Sequence, residues 1–346
     1  MNSARLAAAF RANAGLLGHE GFALVGFDPR DVRRLVRANE IVRVRVGVYA
    51  TRETWAAADT WVAREVLRAR AAAMAMRECC TFSHDSAAHL RGLPFLRPQR
   101  PWVHTTEPRP FGGCRPSSGV KHHGAPYLPA QVGSTAHGRA LDLARTACDL
   151  AREHGLRTGM GACDAALRRG VTREELADAV AAMKSWPGVR TVREAVDLAD
   201  AGADNPGESL ARLLVVELGL GLPTTQFPVD VGGRTVWLDL LLGSHGIEFD
   251  GKQKYRRAEE GGLAADDPGE VVWRERTRER AILRCGLGVS RLVWDDLLPQ
   301  RWDATRERLA REVQESWALR GSGTPSALLA YADRMSDVRS RRLREA

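Results

Sequence analysis

The stretch from Trp237 to Tyr255, WLDLLLGSHGIEFDGKQKY, constrains the fold more than any other part of the chain. Two apolar runs flank a glycine-containing turn at residues 243–246, and carboxylates interrupt both runs. Residues two apart in a strand share a face, so Glu248 and Asp250 lie on the same side of the second run. The pattern therefore predicts a β-hairpin that brings Asp239 of the first run beside both of them.

This acidic cluster needs a cation or protons, because burying isolated carboxylates is costly. Carboxylate oxygens are hard ligands of the kind that Mg²⁺ prefers. Two of the four lysines in the chain, Lys252 and Lys254, follow directly after Asp250. A lysine ammonium has an adjustable pKa, which suits the orientation of a water nucleophile or the stabilisation of developing charge.

These residues resemble the core of the PD-(D/E)xK nuclease superfamily, in the branch related to very-short-patch repair endonucleases. The family pattern is an Asp on one strand and Glu-x-Lys on the next, and Asp239 and Glu248 match its acidic positions. The resemblance implies that these two residues hold Mg²⁺ or Mn²⁺. Asp250 stands where the family has lysine, so either Lys252 or Lys254 is the candidate for that role. The alternative interpretation is a hairpin with surface carboxylates beside a basic turn.

A further acidic candidate, Glu208, lies on a helix that the sequence predicts to begin at Asn205. The family often carries a Glu on this helix that reaches the metal. The alternative is a surface salt bridge with Arg212, one turn further along. The predicted elements that follow are a strand over 226–231, a strand over 234–242, a third strand that ends at Asp250, a helix over 272–284 and a strand over 289–294. Helix, three-strand meander, helix and strand is the order that the resemblance implies.

The first fifty residues predict a small basic domain. Its third helix begins at a capping Asp28 followed by Pro29, and the strand region after it bends at Gly47. The predicted elements are helices over 3–14, 20–26 and 29–38 and a strand over 41–50. Candidate DNA-binding residues are Arg30, Arg33, Arg34 and Arg37 on the helix and Arg43 and Arg45 on the strand. This is the order of a winged helix-turn-helix, whose last helix enters the major groove. The alternative is a solvated face on a small helical cap.

The end of this region, Arg45 to Ala50, reads RVGVYA and resembles the N-terminal domain of AbiEi-type antitoxins. Ser83, the run Ser86-Ala87-Ala88 and the run Gly92-Leu93-Pro94 also follow the spacing of that family. These antitoxins are predicted regulators in phage defence. The resemblance implies a transcriptional regulator of a type IV toxin–antitoxin system, with a cognate toxin as partner.

The middle of the chain predicts a mainly helical connector without chemistry of its own. Its predicted elements are helices over 56–77, 139–153, 160–169, 172 onward and 191–199, a strand over 102–106 and a Pro/Gly loop over 108–119. His84, Asp85, Ser86 and His89 fit helix capping and packing better than catalysis or a metal site. His122 and His123 are expected at the surface. Asp142, Asp149 and Asp164 are expected at solvated positions or at the spacing of a helical salt bridge.

Composition narrows the class of partner. A net charge of +8 and a pI of about 9.6 favour a polyanion, nucleic acid above all. The six cysteines include no Cys-x-x-Cys pair, which argues against a zinc ribbon. Neither a signal peptide nor an uncharged stretch of membrane-spanning length is present. We therefore expect a cytoplasmic protein with reduced thiols and no membrane partner.

The sequence thus predicts a mixed α/β protein whose parts combine DNA binding with a restriction-endonuclease-like domain. The expected ranges are 1–55 for the winged helix-turn-helix, 56–203 for the connector, 204–300 for the nuclease-like domain and 301–346 for a C-terminal helix and basic tail. One function is a Mg²⁺-dependent DNA endonuclease linked to phage defence or DNA repair. The other is an AbiEi-type regulator whose nuclease fold is not catalytic. Double-stranded DNA is the partner in both, and the oligomeric state stays open.

Overall fold

The computed structural model describes residues 2–76, 81–109, 113–251, 280 and 282–345. The chain is a mixed α/β protein, as predicted. It forms two compact units, residues 1–153 (unit 1) and 154–346 (unit 2). Across the described ranges, no helix combines the length and the apolar character needed to cross a membrane.

Unit 1 begins with three helices and a three-stranded antiparallel sheet of order β1-β3-β2. Asp28 caps the third helix, where its carboxylate accepts the backbone N–H groups of Arg30 and Asp31. The predicted strand over 41–50 is a hairpin that turns at Gly47, whose φ is 79°. The elements are α1 (Asn2–Ala12), β1 (Leu16–Gly18), α2 (His19–Leu24), α3 (Pro29–Arg37), β2 (Ile41–Arg45) and β3 (Val48–Thr51). All three predicted helices are confirmed within two residues at each end.

The rest of unit 1 differs from the predicted helical connector, because residues 81–141 contain a six-stranded mixed sheet of order β6-β7-β5-β4-β9-β8. The elements are α4 (Arg52–Ala57), α5 (Trp61–Ala75), β4 (Thr81–Phe82), α6 (His84–Arg91), β5 (Val103–Glu107), β6 (Gly113–Ser117), β7 (Val120–Gly124), β8 (Val132–Thr135), β9 (Gly138–Leu141) and α7 (Leu143–His154). The strands are two to five residues long and rich in polar side chains. They therefore lack the apolar alternation by which a strand is predicted.

Unit 2 contains a four-stranded sheet of order β10-β11-β12-β13, in which only β12 and β13 are parallel. The elements are α8 (Leu156–Arg168), α9 (Arg173–Ala181), α10 (Val189–Asp197), α11 (Pro206–Val216), β10 (Thr224–Val231), β11 (Arg234–Leu242), β12 (His245–Asp250), β13 (Gly288–Val293), α12 (Trp302–Arg320), α13 (Ser326–Arg334) and α14 (Ser336–Glu345). The predicted meander and final strand are confirmed. The expected tail beyond residue 325 forms two helices, and the predicted helix over 272–284 lies mostly outside the described residues.

Helix α8 packs against α11 of unit 2 and shares a buried ion pair with it. Arg212 of α11 donates to Asp164 of α8 at 2.8 Å, and both side chains are buried. Of the two expectations for Asp164, the ion pair is therefore observed and the solvated position is wrong. Arg212 pairs with Asp164, whereas the alternative interpretation of Glu208 pairs that residue with Arg212. Asp149 is buried as well, with Arg145 at 3.0 Å. An arginine partner offsets much of the cost of burying each carboxylate, and for Asp149 that partner stands at the four-residue spacing of a helical salt bridge that the sequence offered.

Candidate functional site

The acidic candidate residues of unit 2 lie at the end of the paired region of β11 and β12. Antiparallel pairing runs from Leu242–His245 to Leu240–Ile247. One residue further along, the side chain of Asp239 accepts the backbone N–H of Phe249 at 2.8 Å. Since Phe249 lies between Glu248 and Asp250, this bond fixes Asp239 against the strand that carries the other two acidic residues.

The backbone opposite Asp239 is irregular. Gln226 of β10 lies between the residues that pair with Leu238 and Leu240, and so faces Asp239 across the strands. Its φ is 45°, in the left-handed region that residues other than glycine rarely adopt. Local irregularities of this kind redirect side chains and are frequent beside active sites.

Glu208 approaches the same place from the first turn of α11. Asn205 caps this helix and accepts the backbone N–H groups of Gly207 and Glu208. Glu208 is 7% exposed, and its oxygens accept the Asp204 N–H and the Asn205 amide, each at 2.6 Å. Burial and the nearby charge of Asp239 raise the pKa of Glu208 to about 8. The negative charge of Asp239 beside the Glu208 carboxyl marks a place where a cation would be stabilised.

Glu248 and Asp250 share a face of β12 and have a basic neighbour. Glu248 is buried, and it pairs in register with Arg291 of the parallel strand β13. Arg291 Nη1 lies 3.8 Å from Asp250 Oδ2. Sequence reasoning missed Arg291, which lies far along the chain and outside any motif. Lys252 and Lys254 lie outside the described residues.

The donor set fits a hard divalent cation. In the described ranges, no three of the four carboxylates bring ligand atoms within 4.8 Å of one another. Glu208 lies close enough to Asp239 to be affected by its charge, Asp239 accepts the Phe249 N–H, and Glu248 and Asp250 flank Phe249 on β12. Mg²⁺ typically binds one or two protein carboxylates and keeps several waters, so a compact trio is not required. Asp239 and Glu248 are therefore suitable ligands.

The candidate DNA-binding arginines of unit 1 divide into two classes. Val32 and Leu35 of α3 are buried, which turns the rest of the helix outward. The exposed arginines are Arg30, Arg33, Arg34 and Arg37 of α3 and Arg43 of β2. Arg34 is 76% exposed and pairs with Asp31 at 2.9 Å. Arg45 differs, since it is half-buried and its guanidinium lies 3.4 Å from the carbonyl oxygen of Ser118.

Unit 1 also contains a histidine cluster, which we define as His84 of α6, His104 of β5 and His123 of β7. All three side chains are buried. Thr106 of β5 pairs with His123, so His123 lies on the same face as His104, two residues before Thr106. His104 Nδ1 and His123 Nε2 are 2.9 Å apart. The predicted surface position of His123 is therefore wrong, because β7 is an inner strand with β5 and β6 on either side.

Oxygen atoms surround the histidine cluster. Asp85 Oδ2 lies 3.8 Å from His104 Nε2, and Asp149 Oδ1 lies 3.9 Å from His84 Nε2. The Ser83 hydroxyl is 2.9 Å from His84 Nδ1. Burial lowers the pKa of His123 to about 4 and holds the pKa of His104 well below its usual range. The imidazoles of His104 and His123 are consequently neutral at physiological pH.

The predicted capping and packing in this segment hold for part of it. His89 packs against Trp61 and Phe95, with ring centroids 4.7 Å and 5.0 Å away. Gly92 ends α6 with a φ of 65°. The Ser83 side chain makes no capping bond, since its hydroxyl contacts His84 instead. Sequence spacing could not find the histidine cluster, because its members come from three separate elements.

Comparison with known proteins gives two findings at the level of sequence. No family model matches the chain. Uncharacterized protein Rv2248 and uncharacterized protein MT2308, from two strains of Mycobacterium tuberculosis, are each 32% identical to it over 124 residues. The match covers 36% of this chain and 45% of each relative, so the chain spans less than half the length of the curated relatives it matches.

Among solved structures, the chain is similar to the crystal structure of the RV2827C protein from Mycobacterium tuberculosis. The superposition has a TM-score of 0.39 at 14% sequence identity, and it covers 61% of this chain and 80% of that one. A likeness of this strength carries no argument about fold or function.

Proposed function

We propose that the chain is a DNA-binding protein whose unit 2 is a metal-dependent DNA endonuclease of the PD-(D/E)xK type. The observation that carries this proposal is the bond from Phe249 N–H to Asp239, with Glu208 beside Asp239 and Glu248 next to Phe249. Acidic side chains from a helix and two neighbouring strands thus lie near the bond between Asp239 and Phe249. The order α11, meander, parallel β13 supports the same type of core.

The chain's own residues have distinct roles in this proposal. Asp239 and Glu248 are the ligands for Mg²⁺ or Mn²⁺, which would acidify a bound water and neutralise charge on the phosphodiester. The Phe249 N–H holds Asp239 in place, and Glu208 retains a proton until a cation lowers its pKa. Lys252 or Lys254 supports the attacking water or the charge that develops on the phosphate.

DNA docking is assigned to the first part of unit 1. Three helices followed by an antiparallel hairpin support a winged helix-turn-helix, with α3 in the major groove and the β2–β3 hairpin along the backbone. The exposed arginines of α3 supply phosphate contacts, which position the protein without reading sequence.

The second candidate function is an AbiEi-type regulator that binds an operator and a cognate toxin. One observation favours it: Asp250 stands at the usual lysine position and faces Arg291. In that case unit 2 grips DNA or a protein partner without cutting, and cation binding has no role.

Plasmid nicking by the purified full chain separates the two functions. We expect cleavage with Mg²⁺ or Mn²⁺, and a loss of about 100-fold or more in Asp239→Asn and Glu248→Gln, since metal and positioned charge dominate such catalysis. Asp230→Asn is the matched control, because Asp230 is exposed in β10 and its side chain accepts only a turn N–H from Gly233 among the bonds described. DNA binding by the wild type without cleavage in any metal, and without Mn²⁺ binding by calorimetry, would favour the regulator.

A further inference from the structure

The histidine cluster of unit 1 has the spacing of a metal site. One ring nitrogen from each of His84, His104 and His123 lies within 4.8 Å of the other two. A tetrahedral zinc ion with Zn–N bonds of 2.0–2.1 Å holds its nitrogen ligands about 3.3 Å apart. The pair His104 Nδ1 and His123 Nε2 is 2.9 Å apart, close to the required separation, and the His84 nitrogen lies no more than 4.8 Å from either. We propose that the histidine cluster binds Zn²⁺.

The chemistry of the donors selects this class of ion. Imidazole nitrogen suits zinc and its neighbours in the first transition series, whereas Mg²⁺ and Ca²⁺ take oxygen ligands. The three side chains are 1%, 1% and 6% exposed. Burying three imidazoles together is costly unless their nitrogen atoms find partners, and one cation provides a partner for all three.

The oxygens around the cluster match the outer partners of a zinc site. A metal-bound histidine almost always donates its second nitrogen to a carboxylate or another oxygen. His104 has this arrangement, with Nδ1 toward His123 and Nε2 toward Asp85 at 3.8 Å. In His84 the Ser83 hydroxyl is the partner of Nδ1, which assigns Nε2, the nitrogen that Arg152 contacts, to the ion.

Binding requires two local movements. The three rings are stacked within 24° of parallel, so at least one ring must tilt to direct its nitrogen at a shared ion. Arg152 Nη2 lies 3.3 Å from His84 Nε2 and must give up that contact. A second partner is already near, because the same nitrogen lies 3.5 Å from Asp149 Oδ1. Arg152 is 19% exposed, which leaves it room to move toward solvent.

The elements that supply the three histidines indicate a structural role for the proposed ion. His84, His104 and His123 come from α6, β5 and β7, so one ion would tie a helix to two neighbouring strands of the six-stranded sheet. The cluster is closed to solvent, which indicates a structural role in unit 1. The backbone of His84 has a φ of 47°, a strained value for a residue other than glycine, and that conformation helps to hold the imidazole in the cluster.

The test is Zn²⁺ uptake by the full chain after dialysis against a chelator. We expect one equivalent of Zn²⁺ by elemental analysis, and a thermal midpoint that rises with Zn²⁺ but not with Mg²⁺. His104→Gln and His123→Gln should each weaken binding by about 100-fold or more, above the 10–100-fold typical of losing an outer partner. His122→Ala is the matched control, since His122 is the neighbour of His123 on β7 and contacts Thr105 on the other face.

Two further measurements do not depend on variants that fold poorly. Arg152→Ala should bind Zn²⁺ more tightly than the wild type, because it removes the group that competes for His84. Co²⁺ bound to the wild type should show the visible bands of nitrogen and oxygen ligands. A wild type that takes up no Zn²⁺ at micromolar free ion would overturn the proposal. So would uptake that both glutamine variants retain, or a strong thiolate-to-cobalt band.

Discussion

The two units each bury a cluster of ionisable side chains, but the clusters are built from different chemistry. In unit 1 the histidine cluster is closed to solvent and consists of nitrogen donors. In unit 2 the acidic site consists of carboxylates, of which Glu208 and Glu248 are buried while Asp239 and Asp250 are partly exposed. Both clusters lie against strands of a mixed sheet, so the architecture alone does not distinguish them.

Burial favours the neutral form of the side chains in both clusters, but the two sets of neutral donors suit different cations. It lowers the pKa of His123 to about 4 and, with the charge of Asp239, raises the pKa of Glu208 to about 8. In each case the neutral form is favoured. Neutral imidazoles expose lone pairs that suit Zn²⁺, whereas a carboxyl that holds a proton near neutral pH can exchange it for a hard cation. The two proposed metal sites therefore differ in donor type, and this difference predicts that each site selects a different metal.

The largest expected effect is that a variant of each cluster loses one metal and keeps the other. His104→Gln should lose Zn²⁺ binding and keep the Mn²⁺ affinity of unit 2. Asp239→Asn should lose Mn²⁺ binding and keep one equivalent of Zn²⁺. The physical reason is that nitrogen donors select zinc and oxygen donors select manganese or magnesium. Calorimetry with each metal on the full chain gives the four affinities.

If both variants lose the same metal, the proposal of separate metal sites in the two units is wrong, since the ions would then share one site. Asp230→Asn and His122→Ala serve as controls, and neither should change the affinity for either metal by more than about twofold. Far-UV circular dichroism of all variants separates loss of a ligand from loss of the fold.

The next effect concerns the buried ion pair between Arg145 and Asp149, whose carboxylate lies beside His84 of the histidine cluster. Arg145 is fully buried, donates to Asp149 at 3.0 Å and to the Pro126 carbonyl at 3.1 Å. Arg145→Met should lower the free energy of unfolding by about 3–5 kcal/mol, because it leaves a buried carboxylate with a weakened counter-charge. Denaturant unfolding followed by intrinsic fluorescence measures the change.

The control is Arg34→Met, which removes an exposed pair with Asp31. A solvated pair contributes at most about 1 kcal/mol, so this variant should be nearly as stable as the wild type. Equal losses for both variants would mean that the burial of Arg145 contributes nothing beyond a surface pair.

The acidic site was predictable because its members are close in sequence. Asp239 and Glu248 flank one short turn, and the alternation of apolar residues located both strands. The helix with Glu208 was predictable from its Asn-Pro start. Arg291 was not, because its place depends on the parallel pairing of β13, which no local pattern encodes.

The histidine cluster was hidden for a related reason. His84, His104 and His123 are about twenty residues apart from one to the next, and the strands that carry two of them are short and polar. A strand that buries His and Thr on both faces shows no alternation of apolar and polar residues. The same feature explains why a sheet was mistaken for a helical connector, whereas the amphipathic helices at both ends of that range were predicted.

A smaller effect is the pH dependence of stability that Glu208 contributes at the acidic site of unit 2. The pKa of Glu208 is about 8 in the folded chain and the ordinary value is 4.5. The folded state therefore holds a proton that the unfolded state has lost, so this stabilisation is complete below pH 4.5 and is lost as pH rises through 8. Between pH 6 and 8.5 the wild type should lose about 2–3 kcal/mol from this group, since each pH unit contributes about 1.4 kcal/mol while the extra proton is held.

Glu208→Gln cannot titrate, so its unfolding free energy should vary less over this pH range, as urea titrations at pH 6 and 8.5 would measure. Exposed Glu174 of α9 provides the control variant Glu174→Gln, which should keep the wild-type pH dependence. Millimolar Mg²⁺ at pH 8.5 should restore part of the wild-type stability, since the cation replaces the proton. An unchanged slope in Glu208→Gln would show that another group titrates.

The smallest effect compares two kinds of arginine within unit 1. Arg34 and Arg37 face solvent from α3, whereas Arg45 is half-buried beside the Ser118 carbonyl. Replacing Arg34 and Arg37 together by Ala should weaken duplex DNA binding and reduce the salt slope by about one to two, since each lost phosphate contact removes about 0.9. Arg45→Ala should change the slope less and lower stability instead, because its guanidinium is already engaged within the protein.

Fluorescence anisotropy of the full chain on a labelled duplex, from 50 to 200 mM salt, gives both slopes. Arg190→Ala is the control, because it removes one exposed charge from α10 of unit 2. If that variant weakens binding as much as the α3 pair does, net charge and not α3 explains the affinity.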